Sequence, residues 1–233
     1  MIYLDNHLNV IKDHVINEYP KEAVGYLIND CYVPMENKHP DPENHFSVST
    51  WPYSMNVRAV IHSHPSDRPC PSADDMKFQL VTKVPWFIFV TDGKIITKII
   101  EFGDELNKCP AFLGREFVHG VTDCYGLVRD WFMGVHGIVL PQFPRDNEWW
   151  DNGEDLLNKS NFIKAGFVEI KEDQLTAGDV IIFRIGRCPV PNHCGVYTGN
   201  GKILHHLYNR YSQEEEAHRW LKKADYFLRY SGK

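Results

Sequence analysis

The chain has 233 residues, a formal net charge of −6 and 43% hydrophobic residues. This length fits one large domain or two ordinary ones, and the hydrophobic fraction favours packed cores over disorder. The acidic balance, without any basic run, gives no electrostatic reason to expect nucleic acid as a partner. No stretch approaches the ~18 apolar residues of a membrane span, so no membrane span is expected.

The N-terminus lacks the basic region, apolar core and cleavage site of a secretory signal. We therefore expect synthesis in a reducing cytoplasm. The six cysteines are interpreted as free thiols or catalytic candidates rather than as a disulfide framework.

The first half mixes helical and strand-like patterns. Apolar residues at steps of four, three and four predict an amphipathic helix over residues 5–18. Apolar or β-branched runs predict strands at residues 23–28, 45–49 and 57–62. A helix is expected after Ser72, and a hairpin is expected over residues 86–100, around an Asp-Gly turn. These elements predict an α/β unit that ends near residue 105.

Four polar residues lie between the third predicted strand and the following helix: His62, His64, Ser72 and Asp75. Histidines two apart on a strand point to one face, so both rings can reach one ion. Two imidazoles and a carboxylate form a three-ligand catalytic zinc set that leaves a position for water. Taken singly, each feature also has a structural explanation, since Ser72 and Asp75 match a helix N-cap with an acidic third residue.

The spacing of these four residues, with Glu22 upstream, resembles the motif of JAMM (MPN-type, Mov34-like) metallopeptidases. The resemblance implies a JAMM/MPN-like domain that binds Zn²⁺ through His62, His64 and Asp75. It further implies that Glu22 acts as the general base and that Ser72 helps to hold the oxyanion.

A polar stretch closed by Pro110 separates the two halves. We expect one domain over residues 1–107 and a second over residues 108–233. In the second, Asp123 can cap a helix that begins at Cys124, where the helix dipole lowers the thiol pKa. His193 opens one predicted strand and His205 ends the next, which gives the order nucleophile, base and orienting residue. A buried structural cysteine is the alternative for Cys124.

The segments around these residues resemble the NlpC/P60 peptidases, which have a papain-like α+β core and cleave peptidoglycan stem peptides. The resemblance implies Cys124 as nucleophile, His193 as base and His205 as orienting residue, with His206 as the rival for the last role. Phe117 stands where many members have a tyrosine hydroxyl. Tyr125 stands where many have serine.

The two domains in this order resemble one family in particular, the tail tip assembly proteins of lambda-like bacteriophages. That resemblance implies other tail tip proteins and peptidoglycan stem peptides as partners. It implies the host cytoplasm during assembly, and later the virion tail tip, as locations. The expected function is stem-peptide hydrolysis during tail assembly or local cell-wall penetration at DNA entry. A structural tail protein with little catalysis is the alternative, and a deubiquitinase-like isopeptidase is a third hypothesis.

Three further segments receive structural interpretations. Trp149 and Trp150 are expected in a core or interface, and contact with substrate or a tail partner is the alternative. Arg129-Asp130 and the run Glu214–Glu216 are expected to lie on solvated helix faces.

Overall fold

The computed structural model describes residues 4–49, 56–103 and 111–232. The chain divides into two compact units, Met1–Glu105 and Leu106–Lys233, each with its own sheet and core. The expected cut at residue 107 lies outside the described residues and stays a prediction. No helix of the described part is long and apolar enough to cross a bilayer.

In its described residues, the first unit contains a five-stranded mixed sheet and two α-helices. The helices are α1 (Leu8–Glu18) and α2 (Ala73–Thr82). The strands are β1 (Val24–Ile28), β2 (Cys31–Met35), β3 (Val57–Pro65), β4 (Trp86–Thr91) and β5 (Ile96–Phe102). Their order is β2-β1-β3-β4-β5; β3 and β4 are parallel, and the other neighbours are antiparallel.

The α/β character expected for this half is confirmed. Ile11 and Val15 of α1 are fully buried against apolar residues of β1, β3 and β4, as the helical spacing predicts. One strand expectation fails, because residues 45–49 form no strand. Strand β2 was not among the predicted strands. Pro34 fits there because β2 is an edge strand.

The part of the second unit that the structure describes contains a six-stranded antiparallel sheet and three α-helices. The helices are α3 (Cys124–His136), α4 (Lys159–Lys164) and α5 (His218–Leu221). The strands are β6 (Phe167–Ile170), β7 (Val180–Phe183), β8 (His193–Gly199), β9 (Lys202–His205), β10 (Gln213–Glu216) and β11 (Ala224–Tyr230). Their order is β10-β9-β8-β7-β11-β6.

Helix α3 packs on the central strands through the apolar side chains of one face, including Val128 and Phe132. The expectation of a solvated face at Arg129-Asp130 is wrong. Arg129 is buried and donates to the Leu140 carbonyl, and Asp130 accepts from Arg115 at 2.7 Å. Aliphatic and planar parts of arginine pack well in such positions, so charge alone does not predict exposure.

The expectation of a helix at Glu214–Glu216 is also wrong, because these residues form β10, which pairs with β9. Trp149 is buried in the core of this unit, as expected, within a short 3₁₀ helix (Trp149–Asn152).

Candidate active sites

In the first unit, the end of β3 brings two histidines to one face. The strand continues through His62, Ser63 and His64, and all three are buried. The two histidine Nε2 atoms lie 3.1 Å apart. Period-two alternation therefore places both rings as the sequence predicts.

The carboxylate of Asp75 completes this group. Its two oxygens each lie 3.3 Å from one histidine, Oδ1 from His62 Nε2 and Oδ2 from His64 Nε2. The three possible ligand atoms all lie within 4.8 Å of one another, and all three residues are buried. Such a set of two imidazoles and one carboxylate can hold a metal ion.

The tautomer of His64 is suited to a metal ligand. Its Nδ1 faces the carbonyl oxygens of Arg68 and Cys70 at 3.1 and 3.0 Å, and a carbonyl can only accept. Nδ1 must therefore carry the proton, which leaves the Nε2 lone pair directed at the group. In the absence of metal, burial opposes a charged His64, but the Asp75 carboxylate outweighs it and raises the His64 pKa. Metal binding would displace that proton.

Glu22 reaches this group through a short bridge to β3. The Ala23 N–H donates to Ser63 Oγ at 2.8 Å, and the Ser63 N–H donates to the Ala23 carbonyl at 3.0 Å. Glu22 Oε1 lies 3.7 Å from His64 Nε2 and 3.1 Å from Arg68 Nη2. Burial raises the pKa of Glu22 despite these nearby positive charges.

Ser72 occupies a capping box at the start of α2. Its Oγ accepts from the Asp75 N–H and donates to Asp75 Oδ2 at 2.8 Å. The structural explanation of Ser72 therefore holds. Ser72 also lines a cavity of about 270 Å³ together with Glu22, His64 and Asp75, so a contact with substrate stays a prediction.

In the second unit, the start of α3 is fixed by a buried ion pair. Asp123 Oδ1 accepts from the Gly126 N–H at 2.8 Å, and Oδ2 accepts from the Gly120 N–H at 2.8 Å. Arg145 adds Nε to Oδ2 at 2.9 Å and Nη2 to Oδ1 at 2.8 Å. Burial opposes ionisation of Asp123, but Arg145, with smaller contributions from His119 and the Gly126 N–H, lowers its pKa to about 2. Backbone N–H groups and Arg145 therefore fix Asp123, the N-cap of the helix that carries Cys124.

Two histidines on neighbouring strands, His193 on β8 and His205 on β9, follow Cys124 in the predicted catalytic order. His193 Nε2 lies 3.0 Å from His205 Nδ1, and both residues are buried. Because Nε2 of His193 is engaged, the nitrogen left for the thiol is Nδ1. His206 makes a different contact, to the Arg210 carbonyl at 2.9 Å.

The close approach of the two rings depends on Gly195. In the β8–β9 register, Gly195 faces His205. A Cβ at Gly195 would lie 2.9 Å from His205 Cβ and 2.9 Å from the Leu204 carbonyl oxygen. Any side chain there would push His205 away from His193.

The thiol of Cys124 has a strongly perturbed pKa. A hydrogen bond with the Cys194 thiol lowers it most, and the hydrogen bond and positive charge of His193 add to this effect against burial and Asp123. Burial and the neighbouring Cys124 raise the pKa of Cys194. Cys124 is thus the thiol that ionises first, which is the property of a nucleophile.

A cavity of about 230 Å³ opens beside Cys124 and His193. Its wall includes Trp150, which is half-buried, and His119, which is buried and whose ring nitrogens make no hydrogen bond among the described residues. His206 also lines it, against the ring of Phe117. Contact between Trp150 and a substrate, the alternative that the sequence offered, therefore stays a prediction.

The structure adds residues that the sequence did not single out. Arg68 contacts Glu22 and Cys194 contacts Cys124, both predicted site residues, and Arg145 contacts Asp123, the N-cap of the helix that carries Cys124. No motif marks the two arginines. For Cys194, the only signal was its place next to His193.

Comparison with known proteins supplies the family. The tail tip assembly protein K of Escherichia phage lambda is 34% identical over 169 residues, which cover 72% of this chain and 79% of that protein. The chain belongs to the family of lambda-like phage tail tip assembly proteins. Another member, from Escherichia phage N15, is 32% identical over 217 residues, or 88% of this chain and 86% of that protein.

Both halves of this tail tip family member match domain families. Residues 114–229 match the NlpC/P60 family, and residues 4–99 match the prokaryotic homologs of the JAB domain. The probable endopeptidase YafL of Escherichia coli is 25% identical over 154 residues, covering 63% of this chain and 54% of that protein. The predicted fold class, JAMM/MPN-like followed by papain-like NlpC/P60, is confirmed. The expectation of an enzyme of the peptidase class is also confirmed.

Proposed function

We propose that this tail tip protein hydrolyses peptidoglycan stem peptides at Cys124, in tail assembly or local cell-wall penetration during DNA entry. The observation that carries the proposal is the line Cys124, His193 and His205 beside a cavity: His193 lies 3.0 Å from His205 and also lowers the pKa of the Cys124 thiol. This is the geometry of a nucleophile, a base and an orienting residue. The protein is proposed to act with other tail tip proteins, first in the host cytoplasm and then at the virion tail tip.

The reaction follows from the positions of these groups. The Cys124 thiolate attacks the carbonyl carbon of the scissile amide, and its former proton resides on Nδ1 of His193. His193 then protonates the leaving amine, which departs and leaves an acyl-thioester. Water hydrolyses the thioester, with His193 as the base. The proposed bond joins D-glutamate to the following diamino acid, as the NlpC/P60 resemblance implies.

The test is digestion of purified peptidoglycan, with products identified by mass spectrometry. We expect Cys124→Ala to abolish release of stem fragments, His193→Ala to do nearly the same and His205→Ala to slow it by a smaller factor. Cys31→Ala, an exposed thiol of the other unit, is the matched control and should retain full activity. Digestion by Cys124→Ala at the wild-type rate would exclude the proposed nucleophile. An inert wild type with a reactive Cys124 thiol would favour the structural alternative.

We propose further that His62, His64 and Asp75 hold one Zn²⁺. The protonated Nδ1 of His64 and the convergence of three buried ligand atoms support this assignment. When bound, zinc would supply Lewis acidity that activates water for attack on an amide. Glu22, beside His64, is positioned to accept a proton and to deliver it to a leaving amine. Ser72 would donate to the oxyanion if it releases Asp75.

Elemental analysis of protein purified without chelator tests the zinc proposal. We expect about one zinc per chain from this ligand set and none in a His62→Ala/His64→Ala double variant. The matched control is His39→Ala/His45→Ala, which removes two imidazoles from the same cavity wall without touching the ligand group. Equal metal content in both double variants would contradict the assignment.

A further inference from the structure

The ring nitrogen of His205 that does not face His193, Nε2, has no role in the line described so far. His205 is fully buried, and its Nε2 makes no hydrogen bond among the described residues. Burial first, and then the charges of His193 and His206, lower the pKa of His205 to about 3, so the ring is neutral. A neutral imidazole carries one proton. When His193 takes the thiol proton on Nδ1, its Nε2–H must donate to His205 Nδ1, and the proton of His205 is then on Nε2.

The carboxylate nearest to that proton is Glu215. Its Oε2 lies 3.8 Å from His205 Nε2. In the β9–β10 register Gln213 pairs with His205, and Glu215, two residues later, emerges on the same face of the sheet. The side chain of Glu215 is 26% exposed, so it is not the solvated charge that the run of glutamates suggested.

Glu215 is also held in place by its neighbours. Its Oε2 accepts from Trp220 Nε1 at 2.9 Å, and its Oε1 accepts from the Gln213 amide. The Trp220 ring covers His205, with ring centroids 4.6 Å apart. Two hydrogen-bond donors and the packing of the Trp220 ring therefore orient the Glu215 carboxylate toward His205.

The flanking glutamates have other partners. Glu214 accepts from the Thr198 hydroxyl at 2.7 Å, and Glu216 pairs with Lys202. Of these three consecutive glutamates, Glu215 is the one that approaches His205. Glu214 and Glu216 therefore serve as matched controls for Glu215.

We propose that Glu215 is a positioning residue of the Cys124 site, which accepts the Nε2–H of His205 and so keeps His205 Nδ1 as the acceptor for His193. A distance of 3.8 Å exceeds a hydrogen bond by about 0.9 Å. A shift of about this size closes the gap while the bond from Trp220 is kept, because a carboxylate oxygen has two lone pairs and can accept from two donors. The inference rests on the proposed function of Cys124 and extends it to a fourth residue.

The physical consequence concerns the His205 tautomer. A carboxylate behind a histidine fixes which nitrogen carries the proton. Without Glu215, His205 can carry its proton on Nδ1, where it opposes the Nε2–H of His193. The imidazolium form of His193 then loses its acceptor, and the Cys124 thiolate loses its stabilising partner.

The first readout is alkylation of Cys124 by iodoacetamide, followed by mass spectrometry of the full chain from pH 5 to 9. The titratable groups that face the line are His119, His206, Glu215, Cys194 and Asp123. For Glu215→Ala we expect a reaction at pH 6 slowed about tenfold, the effect of losing one hydrogen bond to a charged group. Glu215→Gln keeps an acceptor oxygen and should stay near wild type, as should Glu214→Gln and Glu216→Gln.

The second readout is coupling in peptidoglycan hydrolysis. If Glu215 acts through His205, the His205→Ala/Glu215→Ala double variant should be no slower than His205→Ala alone. The Glu215→Ala loss should fall on kcat with KM unchanged. Multiplied losses in the double variant, or an unchanged alkylation profile in a folded Glu215→Ala chain, would overturn the proposal.

Two further controls separate the possible failures. If Glu215→Ala does not fold, Glu215→Asp retains the charge but withdraws it by one methylene, and should lose part of the alkylation rate at pH 6. A wild-type rate for that variant would then overturn the proposal. Alkylation needs no substrate. A chain that leaves peptidoglycan intact but shows the Glu215 effect on Cys124 would refute the proposed substrate and retain the positioning role.

Discussion

Replacing Arg145 by methionine removes the cation that neutralises the buried Asp123 carboxylate. Arg145 and Asp123 are 2% and 3% exposed, so neither charge is well screened by water. The pKa of Asp123 is about 2 in the folded chain and roughly 3.9 in an unfolded one. At ~1.4 kcal/mol for each pKa unit, this difference contributes about 2.6 kcal/mol to stability. The contribution is complete above pH ~4 and is lost as the pH falls through about 2.

Arg145→Met should reverse this dependence. With the cation gone, burial raises the Asp123 pKa above its ordinary value, so the variant becomes less stable as the pH rises from about 4 toward 7. At pH 7 we expect a loss of roughly 3–5 kcal/mol, the usual cost of leaving one member of a buried pair. The start of α3 should loosen with it, because Asp123 is its N-cap.

Urea unfolding followed by tryptophan fluorescence measures these changes, since four of the six tryptophans lie in the second unit. The control is Asp123→Asn/Arg145→Met, which removes both charges and keeps a good N-cap residue. It should be more stable at pH 7 than Arg145→Met alone. If Arg145→Met unfolded at the same urea concentration as wild type from pH 4 to 7, the ion pair would not be holding this helix start.

Three other perturbations test separate parts of the structure. Gly195→Ala should lower kcat about tenfold and cost roughly 1–3 kcal/mol, because its Cβ would collide with His205; wild-type hydrolysis would contradict the packing argument. Cys194→Ala removes the hydrogen bond to Cys124 and should raise the pKa of that thiol, seen as an iodoacetamide rate profile shifted to higher pH. Fragments 1–107 and 108–233 should each unfold cooperatively in calorimetry, since each unit has its own core; two unfolded fragments would refute the boundary.

The group of His62, His64 and Asp75 was the part of the molecule most accessible from sequence. The alternation of a strand places His62 and His64 on one face, and the capping motif places Asp75 at a helix start. Both are local rules with few competing outcomes. The contribution of Arg68, which approaches Glu22 from a loop, follows from no local rule.

The strands of the second unit show where local patterns fail. Glu214–Glu216 has the composition of a solvated helix, yet β9 has an edge that needs hydrogen-bond partners, and these residues pair with it. Pairing across the sheet overrides the weak intrinsic preference of glutamate for helix. Arg129 is similar, because it is buried and donates to the Leu140 carbonyl, which belongs to the segment that follows α3.

The sequence by itself determined the two domains, the order of their candidate residues, the shared face of His62 and His64, and the helix-start positions of Asp75 and Cys124, because periodicity and capping are local. Only the tertiary structure decided that His205 rather than His206 contacts His193, that Cys194 meets Cys124, and that Arg145 and Glu215 support the line from outside it. These contacts join segments that are up to tens of residues apart. Strand register and loop packing fix them, and neither leaves a pattern within a short stretch of sequence.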